Sequence, residues 1–281
     1  MIVAAALCPS PPLLATELTG RADILPDLRT ACTAAIAHLL AATPDVIAVV
    51  GAAQETATWN PDDRLDLSGY APLLSSAPPR APYPPAPAPT TAAFPRSPVP
   101  APADIEGLQA MPPRAAAAPT ASAVPHRPAT RPRGKPGLPL ALGIGALLLD
   151  EASYTGPRIL QAVDESASSA DCLRLGRDLA AAAPRIALLA VGDGSARRGP
   201  AAPGYLDERA IPFDDAVQQA VRDGDMAALA GIDPDLARDL MATGRAAWQV
   251  LAGAFAGASP PTEITYAADP FGVAYLVATL T

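Results

Sequence analysis

The residues with the most chemical potential form a glycine-rich segment, GDGSARRG, at residues 192–199. The segment follows an apolar run typical of a buried strand, and loops in that position line the ligand crevice of α/β proteins. Two arginines, Arg197 and Arg198, together with Ser195 and the backbone N–H groups beside the glycines, could hold an anionic group. In the alternative interpretation the segment is a polar turn, in which Arg197 pairs with a nearby acid and Asp193 bonds its own backbone. The sequence leaves both interpretations open.

Nucleophilic catalysis by Ser195 would need a histidine within reach, and the chain has two histidines. His38 falls inside a predicted helix, and His126 falls in a proline-rich segment. Neither lies on a loop at the end of a predicted strand, where α/β proteins place their reactive groups. The sequence therefore predicts no Ser-His-Asp triad.

The elements that position these residues follow from hydrophobic periodicity. Continuous apolar runs predict buried strands, and apolar residues at spacings of three and four predict helices. Strands are predicted at residues 2–7, 46–50, 185–191, 263–267 and 272–280, and helices at 25–42, 146–152, 173–183, 207–223 and, as one helix or two, 234–255. Buried runs that alternate with helices are typical of parallel βαβ units. We expect a three-layer α/β fold with a central, mostly parallel sheet flanked by helices.

Composition divides the chain into three parts. Residues 75–136 hold about half of the chain's 35 prolines, and this Pro/Ala-rich composition cannot propagate a helix or a sheet. We expect residues 1–74 and 137–281 to form one domain, with residues 75–136 as a disordered insertion between its two halves. Such a segment could contact a protein partner in extended form.

Charge and cysteine usage exclude several classes of protein. The net charge is −8, and the one dense basic stretch, residues 127–135, lies in the proline-rich part, so no nucleic-acid partner is expected. Cys8, Cys32 and Cys172 are too widely spaced for a disulfide framework or a cysteine zinc site. The N-terminal apolar run has no basic residue before it, and the run at residues 138–149 is shorter than a membrane span. We expect a cytoplasmic protein with no membrane contact.

Four motifs occur in an order that resembles a known family. The first predicted strand runs into CPSPPLL at residues 8–14, and PDVIAVVGAAQ follows at residues 44–54. GDGSAR lies at residues 192–197, and DPFGVAY at residues 269–275 leads into the last predicted strand. These motifs resemble the Pro-His-Pro-Pro turn, the Pro-Asp-Val strand, the Gly-Asp-Leu-Ser-His-Arg loop and the Phe-Gly-Val-Gly-Tyr strand of the class III extradiol ring-cleavage dioxygenases, the LigB-like group related to the Memo family. The resemblance covers both predicted halves of the domain and implies a LigB-like fold.

The resemblance also implies an iron(II) site that this chain does not complete. In the family, two histidines and a carboxylate bind the iron and leave positions open for catechol and oxygen. Ser10 stands in place of the first histidine, the segment with Ala53 and Gln54 lacks the second, and Ala196 replaces the histidine that acts as acid or base. Glu263 corresponds to the carboxylate ligand. A neutral hydroxyl is a poor iron(II) ligand and a methyl group is none, so no cofactor is expected.

Three hypotheses follow, and the sequence leaves open whether the protein is an enzyme. The first is a LigB-like homologue without ring-cleavage activity that binds a small anionic or aromatic ligand, with Trp248 and Phe271 as pocket walls or as core residues. The second is an active oxidoreductase, an extradiol dioxygenase with a rearranged metal site that uses Asp193 and Glu263. The third is an interaction protein that binds its partner through residues 75–136.

The first hypothesis makes a geometric prediction. Parallel strands place the loops at their carboxyl ends on one edge of the sheet. Ser10, Ala53 and Ser195 should therefore lie around one cavity, with Glu263 nearby. Arg197 should give that cavity a preference for anions, because a guanidinium group binds carboxylate and phosphate groups through paired hydrogen bonds.

Overall fold

The computed structural model of the chain describes residues 1–19, 23–67 and 137–281. These residues form one seven-stranded sheet with helices on both of its faces. The strands are β1 (Ile2–Cys8), β2 (Val46–Ala53), β3 (Ala57–Trp59), β4 (Arg158–Asp164), β5 (Ile186–Val191), β6 (Thr262–Ala268) and β7 (Tyr275–Leu280). The helices are α1 (Thr16–Thr19), α2 (Pro26–Ala41), α3 (Leu140–Glu151), α4 (Ser169–Ala180), α5 (Ala210–Arg222), α6 (Met226–Ala230), α7 (Pro234–Asp239) and α8 (Arg245–Phe255), with a 3-10 turn at Pro12–Leu14.

The strand order across the sheet is β3-β4-β2-β5-β1-β7-β6. The neighbouring strands β4, β2, β5 and β1 are parallel, whereas β3, β7 and β6 pair antiparallel with their neighbours. The predicted α/β fold, with a central sheet between layers of helices, is confirmed. The predicted βαβ unit of β1, α2 and β2 is present, but β5 lies between its two strands.

Two hydrophobic cores lie on opposite faces of the sheet. On the face that we call the α2–α3 face, helices α2 and α3 pack against residues such as Ala6, Val49 and Leu189. On the opposite, α5–α8 face, helices α4, α5 and α8 pack against residues such as Val50 and Leu188. All residues of β5 are buried, since this strand is covered on both sides. That double burial explains why its sequence is apolar without alternation.

Helix α3 begins at Leu140, earlier than the predicted start near residue 146. The two glycines of this apolar run lie inside the helix, although glycine lowers helix stability. A Cβ atom at Gly145 would overlap the side chain of Val49 in β2, and one at Gly143 would overlap Leu65. Gly145 therefore lets the helix approach the sheet closely, and Gly143 lets it pack against Leu65 in the segment after β3.

Strand β4 is not among the strands that the periodicity predicts. Its sequence, RILQAVD, carries the amide Gln161 at its centre, and Gln161 is buried. The Gln161 Nε2 donates to the carbonyl oxygens of Ala57 (3.2 Å) and Ala162 (2.8 Å), and its Oε1 accepts from Thr58 Oγ1 (2.9 Å). Two of these partners belong to the short strand β3, which the sequence also does not predict. The strand is stable because its polar residue is fully hydrogen-bonded.

For residues 234–255 the sequence predicts either one helix or two, and the structure has two, α7 and α8. The chain reverses between them at Met241, whose φ of 57° lies in the left-handed region that side chains rarely adopt. Helix α8 then packs closely on α4, where a Cβ atom at Gly176 would overlap the carbonyl of Val250. The reversal brings Thr243 and Gly244 beside the loop that follows β5.

The segment at residues 75–136, predicted to be a disordered insertion, lies outside the described residues. That expectation and the proposed protein partner of the segment stay predictions. The described residues belong to one compact unit. In the described parts of the chain, none of the helices is long and apolar enough to cross a lipid bilayer.

Candidate functional site

Three loops meet at one edge of the sheet. Cys8 at the end of β1 and Gly51 near the end of β2 both lie opposite Val191, the last residue of β5. These parallel strands therefore end together, and the loops that follow them begin side by side. We call this the carboxyl edge. The sequence predicts this meeting of the three loops, because each loop follows a predicted parallel strand.

Ser10 and Asp193 bind each other across the carboxyl edge. The Ser10 N–H donates to Asp193 Oδ1 at 2.7 Å, and the Ser10 Oγ lies 3.4 Å from Asp193 Oδ2. The backbone of Asp193 is fixed from the other side, because its N–H donates to Thr243 Oγ1 (3.1 Å) and its carbonyl accepts the Gly244 N–H (2.8 Å). Ser10 is buried and Asp193 is half-buried. The pair links the loop after β1 to the loop after β5.

The Asp193 carboxylate forms no ion pair with a described residue. Burial raises the pKa of Asp193 to about 6, because a desolvated carboxylate favours its neutral form, and the hydrogen bonds from Ser10 oppose this shift. Burial, and then the nearby Asp193 carboxylate, also raises the pKa of the Tyr275 hydroxyl. The edge therefore holds a carboxyl group that exchanges its proton near pH 6, close to a tyrosine that stays protonated.

The Ser195 side chain bonds to helix α5 and does not face Ser10. Its N–H donates to Asp214 Oδ1 at 2.8 Å, and its Oγ donates to Asp214 Oδ2 at 2.5 Å. Ser195 is fully buried in this contact. The prediction that Ser195 shares a cavity with Ser10 and Ala53 is wrong, because the buried carboxylate of Asp214 takes both donors of the serine.

Arg198 lies between two aspartates. Its Nη1 is 3.0 Å from Asp214 Oδ2, and its Nε is 2.8 Å from Asp269 Oδ2 in the turn between β6 and β7. The side chains of Arg198 and Asp214 are mostly buried, whereas that of Asp269 is 46% exposed. Asp214 therefore has the positive partner that Asp193 lacks.

A cavity of about 190 Å³ opens beside this ion pair. Its walls come from the loop after β5, from α5 and α8, and from the hairpin of β6 and β7, so it belongs to the α5–α8 face. The charged, polar and large apolar side chains of its lining include those of Arg198, Asp214, Val217, Gln218, Trp248, Asp269 and Leu276. Trp248 is both a core residue and a cavity wall, whereas Phe271, the other aromatic candidate, is exposed and does not line the cavity.

Two positions that the resemblance assigns to histidines, one near Ala53 for a metal ligand and one at Ala196 for the acid or base, lack an imidazole. Ala53 lies at the end of β2 opposite Asp164 and packs on the α2–α3 face, and the exposed Gln54 follows it. Ala196 is buried, and its N–H donates to the carbonyl oxygen of Leu240 at 3.0 Å. A methyl group offers no lone pair to a metal ion, so neither alanine can replace an imidazole.

Glu263 lies away from the carboxyl edge. It pairs with Thr279 in β7, and Thr279 lies opposite Ala6, in the middle of β1. The prediction that Glu263 is near the loops is therefore wrong, and Asp193 and Glu263 do not form the rearranged metal site of the second hypothesis. The order of motifs along the chain does not determine the register of an antiparallel edge strand, which depends on its neighbours.

Arg197 does not line the cavity. Its Nε is buried without a hydrogen bond to a described residue, and its aliphatic stem lies over Gly204, where a Cβ atom would touch Arg197 Cγ. The next residue, Arg198, lines the cavity instead, and both aspartates beside it already bind its guanidinium group. The preference for anions that we predicted from Arg197 therefore has no support in this geometry.

His38 stays remote from the carboxyl edge, as the sequence predicted. Its Nε2 lies 3.3 Å from the carbonyl oxygen of Leu280, at the far end of β7. His126 lies outside the described residues. Within residues 1–19, 23–67 and 137–281, no group of three or more His, Cys, Asp or Glu side chains is arranged to hold a metal ion.

The sequence indicates no role for the two aspartates that line the cavity, and of the two arginines in the loop it favours Arg197 as the ligand-binding residue. Asp269 opens the DPFGVAY motif, Asp214 lies near the start of an amphipathic helix, and Arg198 follows the arginine that we had selected. The two consecutive arginines, Arg197 and Arg198, indicated that a basic side chain of this loop makes a specific contact. The path of the loop decided that Arg198, and not Arg197, makes this contact.

No family model matches the sequence, and no curated protein matches it. Among solved structures, the chain is similar to the uncharacterised protein JW3007 from Escherichia coli K12, with a TM-score of 0.54 and 15% sequence identity. The alignment covers 99% of this chain and 100% of that chain. At this level of identity the similarity shows the fold alone, an α/β sheet between layers of helices.

Proposed function

We propose that this chain is a LigB-like homologue of the class III extradiol dioxygenases that has lost iron-dependent ring cleavage and binds a small aromatic ligand. The four motifs quoted from the sequence support the family assignment, and the α/β fold is compatible with it. The ligand site that we propose is the cavity beside Arg198, where the loop after β5 meets α5, α8 and the hairpin of β6 and β7.

The observation that carries the loss of ring cleavage is the contact between Ser10 and Asp193. Ser10 occupies the position that the resemblance assigns to the first iron-binding histidine, and it is buried with its N–H bonded to a carboxylate at 2.7 Å. A neutral hydroxyl beside that carboxylate is a poor ligand for iron(II), which prefers two imidazoles and a carboxylate in this family. Ala53, in the segment that lacks the second histidine, supplies no metal ligand, and Ala196 supplies no acid or base.

The size and lining of the cavity support an aromatic ligand. Val217, Trp248 and Leu276 form what we call the apolar wall. An engineered protein cavity of about 150 Å³ holds one benzene molecule, so a cavity of about 190 Å³ has room for one ring with a short substituent. Larger ligands would have to extend into solvent.

A cytoplasmic location is part of the same proposal. Cys8, Cys32 and Cys172 are buried free thiols. Unpaired thiols are typical of proteins in reducing compartments.

Purification without oxygen in the presence of excess iron(II) tests the loss of ring cleavage. We expect no stoichiometric iron by elemental analysis and no ring-cleavage product from catechol. Stoichiometric iron together with that product would overturn the proposal. In that case the Asp193→Asn variant would show whether Asp193 holds the metal, because an amide binds iron(II) much more weakly than a carboxylate.

A thermal shift with catechol tests the ligand site. A ligand that binds the folded state raises the melting temperature. Val217→Phe should reduce the shift because the larger side chain fills the cavity, whereas Leu206→Phe, at an exposed position outside it, should leave the shift unchanged. If catechol raises the melting temperatures of both variants equally, it binds outside this cavity.

A further inference from the structure

We propose that the cavity beside Arg198 selects a small amine, with the ammonium group at Asp269 and Gln218 and the apolar body against the apolar wall. This inference rests on the proposed function in one respect, that the cavity binds a small aromatic ligand. It adds the charge of that ligand, which the resemblance to the dioxygenases does not supply. The ligand that we propose is a cation, in place of the anionic ligand that the sequence favoured.

The charges that line the cavity favour a cation. Asp214 and Asp269 are carboxylates, and Arg198 is the guanidinium group that lies between them. A net negative charge therefore remains among the described lining residues. In a partly buried site this charge is screened less than at the open surface, so it attracts a cationic ligand more strongly.

Asp269 offers the carboxylate oxygen that a ligand can reach. Its Oδ2 accepts from Arg198 Nε, whereas its Oδ1 makes no hydrogen bond with a described residue, and the side chain is 46% exposed. Asp214 differs because both of its oxygens are occupied by Ser195 and Arg198 and the residue is buried. An ammonium group would therefore bond to Asp269, with Asp214 as a fixed negative charge behind it.

An anionic ligand would need the guanidinium group of Arg198. The Nε and Nη1 atoms of Arg198 already bond to the two aspartates. A ligand carboxylate must then either displace Asp269 or add a third negative charge to the same space, and both lower its affinity. A neutral alcohol can donate to Asp269 but gains no charge attraction. The expected order of affinity is amine, alcohol, carboxylate.

Three probes with one ring each test this order on the full chain: benzylamine, benzyl alcohol and benzoate. They are close in size and differ in the charge of one substituent. By isothermal titration calorimetry at neutral pH, we expect benzylamine to bind about tenfold more tightly than benzyl alcohol, and benzoate to bind most weakly. Competition with catechol would show whether the amine uses the same cavity.

Two variants change the charge of the cavity in opposite directions. Asp269→Asn should weaken benzylamine by about tenfold and change benzyl alcohol by less than about twofold. Gln218→Glu should strengthen benzylamine, because it adds a carboxylate to the lining. Glu263→Gln is the matched control, since it neutralises an exposed carboxylate on the same hairpin outside the cavity. A folding defect in one variant cannot produce both opposite changes.

The proposal is overturned if benzoate binds as tightly as benzylamine, or if Asp269→Asn leaves the affinity for benzylamine unchanged. Absence of binding by all three probes overturns it as well. The proposed function can be judged separately, because catechol would still raise the melting temperature if the cavity binds aromatic rings without selecting amines. If catechol also fails to raise the melting temperature, both the selection of amines and the proposed aromatic-ligand site are contradicted.

Discussion

Two aspartates accept hydrogen bonds from one serine each: Asp193 belongs to the loop that follows β5, and Asp214 belongs to helix α5 beside that loop. Asp193 accepts the N–H of Ser10 at 2.7 Å, and the hydroxyl of that serine is 3.4 Å away. Asp214 accepts the N–H and the hydroxyl of Ser195 at 2.8 Å and 2.5 Å. The similarity ends there, since only Asp214 of these two aspartates pairs with Arg198.

The difference shows that hydrogen bonds from a serine do not by themselves offset the effect of desolvation on the pKa of a carboxylate. Asp193 has such bonds but no cation, and burial raises its pKa to about 6. Asp214 is buried too, but the guanidinium group of Arg198 compensates its charge. The first carboxylate can change its charge near physiological pH, whereas the second is part of an ion pair that holds α5, the β5 loop and the last hairpin together.

The largest expected effect on this comparison comes from Asp214→Asn. The substitution removes the charge that Arg198 and Ser195 are arranged to meet, and breaking a mostly buried ion pair should lower the free energy of unfolding by about 3 kcal/mol. Urea denaturation measures this change. Asp215→Asn, at an exposed position on the same helix, is the control and should change stability little. Equal effects of the two variants would mean that the ion pair does not stabilise the fold.

The next prediction concerns the pH dependence that Asp193 confers. Its folded-state pKa of about 6 lies above the value of about 3.9 for an unfolded aspartate, so the folded state binds the proton more tightly. The stability that Asp193 contributes is therefore present below about pH 4 and is lost as the pH rises to about 6. Relative to Asp193→Asn, the free energy of unfolding of the unmodified chain should fall by on the order of 2 kcal/mol across this window.

Urea denaturation at several pH values between 4 and 7 measures this difference for the two chains, with about half-unit spacing being sufficient because the titration spans roughly two units. The conservative amide keeps the shape of the side chain and can still accept the Ser10 N–H. Parallel stability curves for the two chains would show that Asp193 does not carry the raised pKa.

A pair of serine variants sharpens the comparison further. Ser195→Ala removes a short hydroxyl bond to a buried carboxylate and should cost about 1.5 kcal/mol in the free energy of unfolding. Ser10→Ala removes a hydroxyl that lies 3.4 Å from Asp193, so it should cost about 0.5 kcal/mol. Both variants keep the backbone N–H that bonds to the aspartate. Thermal and urea denaturation of the two proteins side by side measures these losses. A larger loss of stability in Ser10→Ala than in Ser195→Ala would contradict the comparison of the two aspartates.

The smallest effect is expected from Arg197→Ala. The substitution loses packing of the stem over Gly204 but also removes a buried Nε that lacks a partner among the described residues, so stability should change by less than about 0.5 kcal/mol. The affinity for benzylamine should also be unchanged, because Arg197 does not line the cavity. A weakened ligand affinity, measured by calorimetry, would restore the role that the sequence assigned to this arginine.

The sequence by itself determined the class of fold and the meeting of the loops. The continuous apolar runs in β2 and β5 predicted strands buried on both faces, and parallel strands in an α/β sheet place their following loops on one edge. The proximity of Ser10 and Asp193 follows from that rule. Strand β4 escaped prediction because Gln161 is stable in a buried position through hydrogen bonds to β3, a partner distant in sequence.

The tertiary structure decided which charges meet. Asp214 and Asp269 lie on different elements, and their convergence on Arg198 depends on how α5 and the last hairpin pack against the loop after β5. Glu263 was misplaced for the same reason, since the register of an edge strand is set by its neighbour. Local patterns of polarity report burial along each element, whereas the pairing of side chains from distant elements is settled only when those elements pack.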